Sequence, residues 1–448
     1  QFRTLRNILR PISVLEMYAK DYDDCMTLSH KNSPPTVYFY HPEAIKQIFT
    51  APPEVFNSSD GGKILQLILG DNSLLLLTGD RHQSQRKLLM PPFHGARIQT
   101  YGDIIVAMTQ QVTGQWELGK PFNVRGAIQE ISLKTILAAV FGIDSGERYQ
   151  ELQGLLTLLL ESISSPLSST LLFFTALQKD WGVWSPWGRF LRLKEKIDSL
   201  LLAEIEQRRL ETDSDRDDIL SLLLSARDEA GKPMTDEELI DQLLTLLFAG
   251  HETTASAIAW GLYWLESLPP VREKLQQELD TVSVADDPLA VTKLPYLTAI
   301  CQETLRIYPI AVNAFPRIVR QPVEIFGYEF EPGMVIFPSS YLTHHREDLY
   351  PEPKQFKPER FLERQFSAYE YFPFGGGNRL CIGYAFAQFE MKLVLASIFS
   401  QFELKLVGNK SIKPTRRGVT VAPSGNMQMV VTKKRSLKSE ELKTGVYL

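Results

Sequence analysis

Cysteine is scarce in this chain. Cys25, Cys301 and Cys381 are the only three in 448 residues. They are far apart and odd in number, which speaks against a disulfide framework or a zinc cluster and fits a reducing compartment, such as the cytoplasm. No apolar run reaches the roughly 18 residues that a membrane-spanning helix needs, so no membrane span is expected in these residues. An excess of positive charge is missing too. The 48 Lys and Arg face 53 Asp and Glu, for a net charge of −5. A nucleic-acid partner, which needs a basic face, is therefore not expected. Internal repeats, low-complexity segments and obvious linkers are absent. The first residue is Gln1, not methionine, which leaves room for a removed N-terminal segment or anchor.

Hydrophobic residues make up 44% and charged residues 23%, an ordinary balance for a globular protein with a large core. Length alone would allow about three domains. With no linker in view, residues 1–448 read as one domain, with a charged and frayed tail over 433–448.

A lead-in helix is expected around Ile12–Lys20, a strand at Val37–Phe39 and a helix at His41–Phe49. From Asn57 to Gly70, polar residues give way to Ile64, Leu65, Leu67, Ile68 and Leu69. This is core, or a segment folded over an apolar cavity. Gly79–Phe93 reads as a helix with His82 and Arg86 on one face, ended by Pro91 and Pro92. Residues 101–142 keep a helical period, and Tyr149–Ile163 is a leucine-rich helix. A break at Ser164–Thr170 and an aromatic stretch at Leu171–Leu177 follow. Trp181, Trp184 and Trp187 fall in a loop. Charged amphipathic helices are expected at Phe190–Asp213 and Asp217–Ala230.

Thr235-Asp236-Glu237-Glu238 is a capping box. The helix it opens runs to Pro269, about 50 Å at about 1.5 Å per residue. Its middle, Leu243–Ala249, is apolar nearly all round, so it should pass through the centre of the molecule. Pro270–Val282 and Leu297–Tyr308 are further helices. Val323, Ile325, Val335 and Ile336 read as short strands flanking a Glu331-Pro332-Gly333 turn. Residues 346–380 look irregular, Ile382–Phe402 helical, and Val407–Val431 a terminal hairpin region. His344 and His345 read as loop residues without metal-ligand geometry.

Three stretches carry chemistry. The first is Phe374-Gly375-Gly376-Gly377-Asn378-Arg379-Leu380-Cys381-Ile382-Gly383, a glycine-rich loop entering an apolar helix. A thiol before a helix start feels the positive end of the dipole and free N–H groups, which favour the thiolate. One thiolate, with glycines that admit a flat cofactor, points to haem iron. On its own Cys381 reads equally as a buried structural cysteine. The second is Ala249-Gly250-His251-Glu252-Thr253-Thr254, an acid and two hydroxyls in a buried helix. Such a sequence either opens the helix locally for a small ligand or makes a kinked core helix with satisfied polar groups. Ala255 breaks an H-E-x-x-H zinc pattern. The third is Glu303 with Arg306, three apart on an otherwise apolar helix, hence a buried pair.

The spacing F-x-x-G-x-R-x-C-x-G around Cys381 resembles the haem-binding loop of the cytochrome P450 family. Gly250 to Thr254 resembles the family's oxygen-activation motif, Glu303-Thr304-Leu305-Arg306 its E-x-x-R motif, and Pro358-Glu359-Arg360-Phe361 the segment that supplies its second arginine. The resemblance extends from about Leu15 to Val431. It implies a mainly α fold, a triangular prism of helices with small β-sheets, binding haem b with Cys381 as axial ligand. Phe374, Gly375 and Arg379 belong to that loop. Thr253 and Glu252 would serve oxygen activation and proton relay, and Gly250 would leave space for the oxygen. Arg379, Arg317, Arg86 and His82 would meet the haem propionates; members often carry tryptophan where His82 stands. Glu303, Arg306 and Arg360 would be structural.

The implied reaction is monooxygenation of a lipophilic substrate, a fatty acid or terpenoid as in cyanobacterial members. Electrons would come from a ferredoxin or flavodoxin with its reductase, docking near Lys87, Arg97 and Arg364. A peroxygenase, a hydroperoxide isomerase and a non-catalytic haem-thiolate sensor are the alternatives. Substrate contacts map to Ile64, Leu65 and Leu76, to Leu160–Phe174, to Phe248 and Ala249, to Ile310 and Val312, and to Val421. No arginine lies in the inner segments, so a carboxylate near iron would lack a partner. A monomer is expected.

Overall fold

Proline and capping residues set where the helices begin. The computed structural model describes residues 11–28, 34–57, 63–95, 97–142, 145–164, 178–211, 216–408, 411–417, 420–425 and 427–435. The first elements are α1 (Pro11–Ala19), β1 (Cys25–Leu28), β2 (Thr36–Phe39), α2 (Pro42–Thr50), β3 (Phe56–Asn57), α3 (Lys63–Leu69), α4 (Gly79–Leu89), α5 (Arg97–Thr100) and α6 (Gly102–Thr113). β4 (Pro121–Asn123) enters α7 (Val124–Phe141), followed by α8 (Glu147–Ser164), α9 (Pro186–Leu210) and α10 (Ile219–Ser225). Next come α11 (Asp236–Ser267), α12 (Pro269–Leu279), α13 (Pro288–Thr292) and α14 (Pro295–Ile307). The strands β5 (Arg317–Val319), β6 (Val323–Ile325), β7 (Tyr328–Phe330) and β8 (Val335–Pro338) precede α15 (Ser340–His344), α16 (Arg360–Glu363) and α17 (Tyr384–Gln401). β9 (Phe402–Leu406), β10 (Pro414–Arg417), β11 (Thr420–Pro423) and β12 (Gln428–Lys434) close the described chain.

Proline stands in the first turn of α2, α9, α12, α13 and α14, where its missing N–H costs nothing. Asn123, Ser185, Asp218, Asp287 and Ser339 each cap a helix through a side-chain oxygen. Thr235 and Glu238 form the reciprocal capping box of α11. That helix spans 32 residues and packs on α7, α9, α14, α17 and β11. Ile258, Ala259, Trp260 and Leu262 on it are fully buried. It therefore forms the axis of the helical core, as its all-round apolar middle predicts.

Four small sheets border the helices. One runs β1-β2-β8-β5-β3, with β2 and β8 parallel and the other pairs antiparallel. The others are β6-β7, β10-β11 and β4-β12-β9. Among the described residues, no helix is long and apolar enough to cross a membrane.

Several sequence expectations need correction. The helical period of 101–142 is broken between α6 and α7, where β4 joins β12. Trp116 and Phe122 stack there at 4.0 Å, so apolar residues continue through a turn and mimic a helix. Trp187 lies in the first turn of α9, buried against Phe190. The helix expected over Asp217–Ala230 is only α10, because Ala226 is extended. The tight hairpin in 323–330 turns at Phe326 and Gly327, both at positive φ, while Glu331–Gly333 links two different sheets. His344 ends α15 and is fully buried. Lys433 and Lys434 belong to β12 and pair with β9, so the charged tail starts beyond them. The stretch Leu171–Leu177 lies outside the described residues, as does most of Leu160–Phe174.

Candidate active site

The cysteine loop rests on α2. A Cβ at Gly376 would lie 2.3 Å from the Phe49 ring, and one at Gly377 would lie 2.4 Å from the Phe49 carbonyl oxygen. Gly377 also holds a φ of 64°. These two glycines also answer to Phe49, whose close approach leaves no room for a Cβ. The Cys381 N–H donates to the Phe374 carbonyl at 3.0 Å, closing the loop, and Gly383 caps α17. Gly375, at φ 71°, packs beside Ala314.

The Cys381 side chain is accessible yet surrounded by protein, so it opens into an internal cleft. Burial pushes its thiol up, while the Gly383 N–H and the Arg86 charge oppose that without reversing it. The Gly383 N–H thus acts in the direction expected of a helix start, against the effect of burial. A coordinating metal deprotonates a thiol outright.

Three arginines and a histidine converge beside this thiol. Arg379 donates to the Leu77 carbonyl at 2.6 Å and to the Leu74 carbonyl at 3.4 Å. Arg317 is buried and donates to the Phe315 and Gly376 carbonyls at 2.8 and 3.2 Å. Burial, then Arg379, pushes Arg317 down to about 10; burial, then Arg86, does the same to Arg379. Arg86 is pushed down by burial and supported by Cys381. His82 is buried, and burial with Arg379, Arg86 and Arg317 pushes it down to about 3, so the imidazole is neutral. Among the described residues no carboxylate enters this set. Buried cations without a counter-charge are costly. The set fits a dianionic group such as the two propionates of haem b, with Cys381 to take its iron.

α11 presents Phe248, Ala249, Gly250 and Thr253 as partly accessible positions within an otherwise buried stretch. The helix is continuous here, so of the two readings of this stretch the local opening is not seen. Thr253 Oγ1 donates to the Ala249 carbonyl at 2.5 Å. The space of a side chain at Gly250 is taken by Ile136 of α7, 3.2 Å from a built Cβ. Gly250 thus also lets α7 approach closely. Glu252 is buried and accepts from Arg125 Nη2 at 2.6 Å and Gln129 Nε2 at 2.7 Å, both on α7. His251 is buried beside the Gln129 carbonyl, and burial lowers its pKa.

Glu303, Arg306 and Arg360 form a separate, sealed group. Arg306 Nε and Nη2 meet Glu303 at 2.6 and 2.9 Å, and Arg360 Nε meets it at 3.1 Å. The Lys357 N–H adds a bond of 2.7 Å, and Arg306 Nη1 donates to the His344 carbonyl at 2.8 Å. Glu303 and Arg306 have no exposed area. His344 Nε2 accepts from the Phe372 N–H at 3.0 Å, tying this group to the segment before the cysteine loop.

The apolar candidates divide. The Val421 N–H donates to the Ile310 carbonyl at 2.9 Å, and Val312 packs with Val421, so those three share one wall. Leu65 and Phe248 pack on the helical core; Leu76 is half-buried. Ile64 lies on α3. A small cavity between α3, α7, α8 and α11 is lined only by aliphatic and aromatic side chains, among them Ile68, Leu69, Leu133, Leu159, Leu244 and Phe248.

A cysteine at a helix start beside three arginines and a histidine, together with an acid–threonine pair on the central helix, fits a haem-thiolate protein. Comparisons with known proteins agree. A cytochrome P450 family model matches residues 5–430, and the chain belongs to that family. Cytochrome P450 135B1 of Mycobacterium tuberculosis is 34% identical over 436 residues, 97% of this chain and 89% of the relative. Cytochrome P450 135A1 of the same species is 33% identical, over 90% and 86%. Among solved structures, retinoic acid bound cyanobacterial CYP120A1 superposes with a TM-score of 0.82 at 24% identity, covering 96% of each chain. The cytochrome P450DA heme domain gives 0.80 at 21%, covering 95% and 93%. The fold is therefore the P450 fold, and the protein is a haem-thiolate monooxygenase with haem b as cofactor.

Sequence reasoning missed Arg125 and Gln129 as partners of Glu252, and Glu390. No local spacing links residues over a hundred positions apart. Glu390 is fully buried on α17 beside the Ser132 hydroxyl, which also meets the His251 carbonyl at 3.2 Å. Burial pushes Glu390 up to about 8.

Proposed function

We propose that this monooxygenase oxidises a neutral terpenoid, or a long-chain fatty acid held with its tail toward the haem and its carboxylate at the entrance. The observation that carries this is the apolar character of the partly accessible Phe248 and Ala249 on α11, beside which Leu244 and Leu247 line a small void with no polar side chain. An aliphatic tail loses nothing there, whereas a carboxylate would lose its hydration without gaining a partner. Haem b with a thiolate ligand supplies activation of O2 for insertion of one oxygen atom, the other leaving as water. Cys381 would hold the iron, and Arg86, Arg317, Arg379 and His82 the propionates. Thr253 Oγ1, on the accessible stripe of α11, would hand on a proton. Glu252, held by Arg125 and Gln129, is the acid that replenishes it.

The intact Glu252–Thr253 pair favours this reading over a peroxygenase, an isomerase or a sensor. The test is titration of the purified protein with fatty acids of increasing length and with terpenes, followed by reduced-cofactor consumption. Each CH2 should tighten binding about four-fold, from about 0.8 kcal/mol, until the cavity is full. Tighter haem spectral shifts with short polar acids would defeat the proposal.

Electrons would arrive from a ferredoxin or flavodoxin with its reductase. Lys87, Arg97 and Arg364, the candidate docking charges, each stand in an ion pair. Lys87 pairs with Glu229 at 2.6 Å, Arg97 with Asp217, and Arg364 with Glu370. Exposed pairs of this kind hold together weakly, so an acidic partner would compete with Glu229 for Lys87. Lys87→Glu should then slow reduction about two- to five-fold at low salt and less at high salt. A salt-independent rate would count against this dock.

A further inference from the structure

Between α3 and α4 the chain is fastened to α11 by side chains within one turn of each other. The Asn72 N–H and Nδ2 donate to Asp241 Oδ2 at 2.9 and 3.0 Å. The Leu74 N–H donates to Gln242 Oε1 at 3.1 Å, and Gln242 Nε2 donates back to the Asn72 carbonyl at 2.5 Å. Thr245 Oγ1 lies 2.7 Å from Ser73 Oγ. Gln242 and Ser73 are fully buried, and Asp241 and Thr245 nearly so. The fit is close: Gly70 holds a φ of 81°, and a Cβ there would lie 1.9 Å from Asp241 Oδ1. A buried polar network with its members paired holds one geometry rigidly.

The same short loop grips the cysteine segment from its other side. Leu74 and Leu77 supply the carbonyls that receive the Arg379 guanidinium. Arg379 stands two residues before Cys381 and in the cationic set. One loop thus joins the central helix to the arginine, and Leu74 takes part in both attachments: its N–H to Gln242, its carbonyl to Arg379.

We infer that Asp241 and Gln242 are positioning residues that act through this loop on Arg379. They fix the two carbonyls that aim the guanidinium, and so set how firmly the chain retains haem. The inference rests on the haem site described above. A purely structural bracket would stabilise the fold without regard to Arg379; a positioning bracket works only while Arg379 is present.

The test is a double-mutant cycle read as the rate of haem release from the purified holoprotein to excess apomyoglobin. Gln242→Leu should speed release about ten-fold when Arg379 is present, the scale of one buried hydrogen-bond loss. In an Arg379→Gln background the same change should matter by less than about two-fold. Asp241→Asn, which keeps an acceptor for Asn72, should stay near the parent, while Asp241→Ala should behave like Gln242→Leu. Equal acceleration with and without Arg379 would overturn the inference. Should Gln242→Leu not fold, Asn72→Ala, which keeps its backbone bond to Asp241, enters the same cycle under the same criterion. Amide exchange at Leu74 in the haem-free chain separates failure of the bracket from failure of the haem reading. Slow exchange in the parent and fast exchange in Gln242→Leu is expected, and fast exchange in both overturns the bracket whatever the cofactor.

Discussion

Charge is buried in this molecule in two contrasting ways. Around Glu303 every charged group finds a partner inside the chain: two arginines share one carboxylate, and backbone groups complete the set. Around Cys381 three arginines and a neutral histidine gather with backbone carbonyls and, among the described residues, no acid. The first group is complete as the chain alone folds. An anionic ligand would complete the second. The sign balance separates the two: one group is neutralised within the chain, and the other would be neutralised by a dianion such as the propionates of haem b.

The contrast breaks most sharply at Glu303. Glu303→Gln leaves Arg306 buried without its carboxylate and should cost about 3–5 kcal/mol, seen as a large fall in the urea midpoint or as loss of folded protein. Arg317→Gln should do the opposite to the haem-free chain, leaving its melting temperature level or higher, while weakening haem titration about ten- to hundred-fold, the scale of a charge-assisted bond. A haem-free Arg317→Gln chain that melts as early as Glu303→Gln would erase the distinction.

The smallest effect concerns a third way of burying an acid, as a neutral group. Glu390 titrates near 4.5 when unfolded and about 8 when folded. The folded state then binds more protons between these values. The stability Glu390 contributes is full below about 4.5 and lost as pH rises through about 8. Glu266, pushed up to about 7 by burial against the opposing Arg272, acts with the same sign. Melting curves of Glu390→Gln across this range should be flatter than those of the parent and higher at the alkaline end; an unchanged slope would remove Glu390 as a source.

What the sequence made legible was local. The capping box at Thr235 and the i,i+3 spacing of Glu303 and Arg306 each state their structure within a few residues. The cysteine loop is legible because its spacing is contiguous. Contacts across the chain were not. Nothing near Glu252 announces Arg125, nothing near Asn72 announces Asp241, and nothing near Gly377 announces Phe49. Periodicity also misled where Trp116 and Phe122 fill the core from a turn. The Lys87, Arg97 and Arg364 charges looked open because their partners are distant or on neighbouring loops.

The parallel pairing of β2 with β8 has a consequence for how the protein is made. Thr36 meets Val335 and Phe39 meets Pro338. On a ribosome working at about 5–20 residues per second, the roughly 300 residues between them take about 15–60 s to appear. Throughout that interval the first hairpin offers an open edge with no sheet to join. The helices from α1 to α14 can gather around α11 before β8 emerges, whereas α17 and β9 to β12 follow it. The order of synthesis thus lets the first hairpin find its parallel partner only after most of the helices exist, and before α17 completes the core beside the cysteine loop.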